Sequence, residues 1–136
     1  MKRTGVVLAA VLTVVGLSGC GDKPAYATDD RGVALSPQTL ASDSEVYAAY
    51  KQLYPNSNYL GGQAGFVEQM KKSCALMIEQ DSGDLVLMGI LMESDVSGSV
   101  PNYIAHAQLW TENYCPNMTG EVAEAIQEGK ARVREG

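Results

Sequence analysis

Few side chains in this 136-residue chain have the types and spacing that chemistry needs. A serine or cysteine nucleophile requires a base beside it, and the sequence holds one histidine, His106. At helical spacing its neighbours are Asn102, Tyr103, Leu109 and Trp110, with no serine, cysteine or carboxylate among them. His106 therefore reads as a structural residue. Glu93 and Asp95 offer two carboxylates, but they follow an apolar run and read as a solvated helix end. Gly61-Gly62 precedes a helical stretch, where backbone amides can face an anion. It lacks the lysine and serine of a phosphate loop and reads as a hinge. One histidine and three cysteines without a Cys-x-x-Cys make no metal set, so neither a metal nor another cofactor is expected.

The cysteines carry more. Lys2 and Arg3 open the chain, and Gly5 to Gly16, GVVLAAVLTVVG, follows without a charge. Twelve helical residues reach about 18 Å, short of the roughly 30 Å bilayer core, so this is the pattern of a secretory leader. The run ends in Leu17-Ser18-Gly19-Cys20, which resembles the lipobox of bacterial lipoproteins. That resemblance implies cleavage between Gly19 and Cys20 and a diacylglyceryl group on the Cys20 thiol. Two acyl chains suffice for stable anchoring where one is marginal. The expected location is the outer face of the cytoplasmic membrane, anchored to it and not spanning it. The other reading is an ordinary leader whose break happens to include a cysteine.

With Cys20 set aside, Cys74 and Cys115 remain as an even pair in an exported domain, where disulfides persist. The expectation is a Cys74–Cys115 bridge, against the reading of two buried free thiols. Loss of Lys2 and Arg3 with the leader takes the formal net charge from −6 to −8. Such an acidic body argues against nucleic acid as a partner, and against attachment to anionic lipid by charge.

The elements that must position these residues read as helices. Residues 1–19 are the leader. Residues 20–41, with two prolines and the Asp29-Asp30-Arg31-Gly32 cluster, read as a lipidated flexible tether. Its reach is about 25 Å as a random coil and about 70 Å fully stretched. Residues 42–136 form the domain. Ser42 and Glu45 make a capping-box signature, followed by Val46, Tyr47, Tyr50, Leu53 and Tyr54 at helical spacing and a stop at Pro55. A second helix spans about Gln63 to Gln80, with Phe66, Val67, Met70, Cys74, Met77 and Ile78 on one face. Asp84 caps a third, Leu85 to Met92, which is apolar all round and so expected to be buried. After a loop from Ser94 to Pro101, a fourth runs from Asn102 to Tyr114. A last one, about 120–133 and capped by Thr119, has a thin apolar face of Val122, Ile126 and Val133. The fold class is all-α: four or five short helices.

The order of Cys74, a glycine turn, a short apolar helix and a helix ending Tyr114-Cys115-Pro116 resembles domain of unknown function 732. That family comprises small exported proteins of mycobacteria and their relatives. The likeness covers about 46–116. It departs in the polar Glu68-Gln69-Met70-Lys71-Lys72 stretch and in the extension from Asn117. It implies a fold and a compartment and no activity. Similar lipoproteins occur in actinobacterial phages and prophages, which extends the expectation to a phage-borne gene with a superinfection-exclusion role.

Tyrosine supplies the one binding signal. Tyr47, Tyr50 and Tyr54 line one stripe and Tyr59 follows in the loop. These are residues of protein interfaces, and equally of a small core that must bury its aromatics. The functional expectation is a membrane-anchored binding module with a protein partner in the cell envelope. A small envelope enzyme is the other class, disfavoured by the inventory above.

Overall fold

In the computed structural model, residues 24–94 and 98–135 are described. They form the expected all-helical domain, with the five helices stapled by a Cys74–Cys115 disulfide. The helices are α1 (Asp43–Leu53), α2 (Gly62–Gln80), α3 (Asp84–Glu93), α4 (Ser99–Tyr114) and α5 (Thr119–Glu135), with a 3₁₀ turn at Pro116–Met118. The residues read above as a leader and lipobox, Cys20 among them, lie outside the described residues, as does Asp95.

Local chemistry sets most of the boundaries. Ser42 Oγ accepts from the Glu45 N–H at 3.2 Å, the expected cap of α1. The second helix ends at Asp81, whose left-handed backbone turns its N–H back onto the carbonyls of Met77 and Ile78. Two caps differ from expectation. Gly83 caps α3, while Ser82 Oγ takes the Asp84 N–H at 3.0 Å. Thr119 is the first residue of α5, and its hydroxyl donates to the Pro116 carbonyl. The fourth helix starts at Ser99, three residues earlier than the sequence suggests, because Pro101 falls in its first turn. There the missing N–H has no intrahelical acceptor to lose.

Helix α4 is the axis of the bundle and packs against each of the other four. Its Ile104, Ala107, Trp110 and Tyr114 meet Val46 and Tyr50 of α1, Phe66, Met70 and Met77 of α2, and Val86 and Ile90 of α3 in one core. The thin apolar face of α5 suffices because α3 comes close to it. A Cβ at Gly129 would lie 2.9 Å from the Ile90 side chain. At Gly89, a Cβ would lie 1.9 Å from Tyr103 Oη, so α3 and α4 also meet through a glycine.

One expectation is overturned. From about Tyr26 onward, the segment read as flexible tether is part of the domain. Val33 and Ala34 are 0% and 1% exposed. Asp29 Oδ1 accepts from the N–H groups of Arg31 and Val33, closing a tight turn with Gly32 at φ +87°. A single β-bridge then pairs Thr28 with Ala34. The Asp-Asp-Arg-Gly cluster is thus turn chemistry within a packed segment and not spacer composition.

This segment completes α4. The last carbonyls of a helix have no intrahelical partner. Here the Tyr114 carbonyl accepts from Ala34 N–H at 2.8 Å and the Asn113 carbonyl from Gln38 N–H at 3.2 Å. The Asn113 side chain, 1% exposed, works in both directions. Its Oδ1 accepts from Thr39 and Leu40 N–H at 3.0 and 2.9 Å, and its Nδ2 donates to the Leu109 carbonyl. One residue on, Cys115 bonds Cys74, with the Cα atoms 5.7 Å apart.

Two outcomes follow. Asn113→Ala removes the acceptor of two backbone N–H groups and lowers unfolding free energy by about 2–4 kcal/mol in denaturant titration. Cys74→Ala and Cys115→Ala each forfeit the closure of a 41-residue separation, roughly 4 kcal/mol in the chain-entropy model. The double variant melts close to either single one, since the pair is one constraint.

Candidate functional site

The sequence-derived residues converge at the joint of α1, α2 and α4. Phe66 sits at its centre, fully buried. Tyr47, Tyr50 and Tyr59 approach it with ring centroids 5.3, 4.6 and 5.6 Å away. Tyr54 stacks obliquely on Tyr50 at 5.3 Å. Tyr50 is 6% exposed and its hydroxyl bonds Ser57 Oγ at 2.7 Å. The other three tyrosines are half-buried against the core. The stripe's rings thus contribute to internal packing, while Tyr47, Tyr54 and Tyr59 remain partly exposed. Burial, and then the nearby Glu93 carboxylate, push Tyr54 up to about 12. Tyr59 and Tyr103 are also raised, chiefly by burial.

His106 completes this cluster, with its ring centroid 5.3 Å from Tyr50, 5.9 Å from Tyr54 and 6.2 Å from Tyr103. Its Nδ1 is buried without a hydrogen-bond partner among the described residues. Burial lowers its pKa from 6.5 to about 4. At neutral pH the imidazole is therefore uncharged, and tyrosine rings stand around it. It packs as one ring of this aromatic cluster.

The glycine pair of the sequence analysis lies in the turn before α2. Gly61 and Gly62 both take positive φ, 83° and 62°, and the Gly62 N–H is used within the turn by the Tyr59 carbonyl. Among the described residues no three metal-ligating side chains come together.

What sequence reasoning missed is a surface. The third helix is not buried on all sides. Val86, Leu87 and Ile90 face the core, while Met88 and Met92 are 55% and 71% exposed. On α2, Leu76 is 38% exposed. Two open grooves meet at this leucine. One, of about 480 Å³, is lined by Arg31, Lys72, Ala75, Leu76, Ile78 and Glu79. The other, of about 430 Å³, is lined by Leu76, Gln80, Ser82, Asp84, Leu85 and Met88. The signal was present in the uninterrupted apolar sequence of α3. With α4 and α5 as its main neighbours, a ten-residue helix has one side left over. Contiguous apolar surface of this kind marks interaction sites.

No protein-family profile, curated protein or solved structure matches the chain. Among the described residues no helix is long and apolar enough to cross a membrane.

The buried histidine makes a pH-dependent contribution with a definite sign. Its folded pKa is below the unfolded value, so between pH 6.5 and about 4 the unfolded chain binds a proton that the folded chain does not. The neutral ring's contribution is complete above pH 6.5 and is lost as pH falls to about 4. The expected loss is about 3 kcal/mol. His106→Phe keeps the packing and removes this component. Denaturant titrations at pH 7 and pH 4 therefore show a smaller difference for the variant than for the parent chain.

Proposed function

We propose that this chain is an exported lipoprotein, held by a diacylglyceryl group on Cys20 to the outer face of the cytoplasmic membrane, whose helical domain is a binding module of the cell envelope. The observation that carries this reading is Leu17-Ser18-Gly19-Cys20 at the end of an uncharged run that follows Lys2 and Arg3. The Cys74–Cys115 bridge supports it, because disulfides persist in oxidising compartments outside the cytosol. The exposed face of Leu76, Met88 and Met92 supports binding over chemistry. His106, neutral among tyrosines, lends no support to acid–base catalysis. In a phage-borne setting such a module acts at the envelope to exclude a second phage. The placement of Cys74 and of Tyr114-Cys115-Pro116, on which the likeness to domain of unknown function 732 rests, agrees with an exported helical domain.

The test is metabolic labelling with a radioactive fatty acid. The parent chain incorporates label and sediments with membranes, whereas Cys20→Ser takes up none and is released or left unprocessed. Label retained by Cys20→Ser overturns the reading.

A further inference from the structure

We infer that the apolar face of α2 and α3, formed by Leu76, Leu85, Met88 and Met92, lies on the bilayer that carries the anchor. The inference rests on the lipoprotein reading and names the surface that the module's face meets.

Three observations lead to it. The first is the length of the leash. Tyr26 is tied to Asn117, its hydroxyl donating to Oδ1 at 3.0 Å, and Ala34 to Tyr114 at 2.8 Å. Cys20 precedes Tyr26 by six residues, which span at most about 21 Å when fully extended. A lipid on Cys20 therefore keeps the start of the packed segment within about 21 Å of the membrane surface.

The second is where that leash meets the domain. The turn that follows Tyr26 places Gly32 beside Ile78 of α2 and Arg31 on the rim of the groove that Lys72 and Leu76 line. Leu76 belongs to both grooves, and the second continues over Leu85 to Met88. Arg31 and Gly32 of the packed N-terminal segment thus border the groove that leads through Leu76 to the exposed apolar side chains.

The third is the chemistry of that side. Met88 and Met92 are unbranched and adaptable, suited to a fluid boundary that offers no fixed shape. Lys72 can lay its stem along Leu76 and present its ammonium to headgroup phosphates. Glu79 and Asp84 line the same grooves, so the face has no cationic excess to bind anionic lipid from solution. The anchor supplies the local concentration that so small a face lacks.

The experiment uses the full chain, extracted from membranes and reconstituted into vesicles of phosphatidylcholine and phosphatidylglycerol. Intact mass first reports the lipid on Cys20. An environment-sensitive fluorophore is then placed at Met92→Cys and, separately, at Gln52→Cys, an exposed position on α1. The expected result is several-fold weaker quenching by aqueous iodide at position 92 than at 52, with quenching by nitroxide-bearing lipid at 92 alone. Adding Leu76→Gln and Met88→Gln brings position 92 to the level of 52. An unlipidated mass overturns the anchor, and this inference with it, before fluorescence is read. Equal iodide quenching at the two positions in a lipidated chain overturns the inference alone. Protection at 92 that grows with protein density and ignores lipid nitroxide assigns the face to a second copy, and also overturns it.

Discussion

The structure depends on how the C-terminal end of α4 is finished. A central helix that stops inside a protein must find partners for its last carbonyls, or its burial costs more than it contributes. Here they come from far away in sequence. Residues 34–40 deliver N–H groups to the Asn113 and Tyr114 carbonyls and to the Asn113 side chain, and Cys115 is bonded to Cys74. Tyr114 adds a hydroxyl bond to Asp43 at the start of α1. The N-terminal segment, α1, α2 and α4 are thus fastened within three consecutive residues. The apolar core around Trp110 and Phe66 forms on helices whose positions that junction sets.

Much of this was legible in the sequence, and the parts that were not have physical causes. Apolar spacing marks α1, α2 and α4 because each has a single buried face, and the pairing of Cys74 with Cys115 follows from an even count once Cys20 is set aside. The packing of residues 26–41 was hidden because it uses hydrogen bonds to a distant helix end. Only Val33 and Ala34 are buried there, too few to show a period. Asn113 was hidden for the same reason, since nothing in its neighbours signals a side chain that accepts from Thr39 and Leu40. The start of α4 was misplaced because a proline ordinarily ends helices, and its tolerance in the first turn is positional.

The candidate sites divide along the same line. The tyrosines and His106 stood out as residue types, and the bundle brings them together as aromatic packing around Phe66. The exposed face of α3 did not stand out, because the uncharged run Leu85 to Met92 says that it is buried and not how far its neighbours reach around it. Which apolar residues stay in water is a property of the whole arrangement. It depends on α5 and α4 occupying two sides of α3 while α2 meets it less extensively.

The junction also has a mechanical consequence. Tension applied through the N-terminus enters the domain at Tyr26 and runs along the segment to the bonds at Tyr114 and Asn113. From there the covalent Cys115–Cys74 link carries it directly into α2, bypassing the helices between. The load path is thus short and confined to one flank. None of these bonds is made by a residue of α3 or α5.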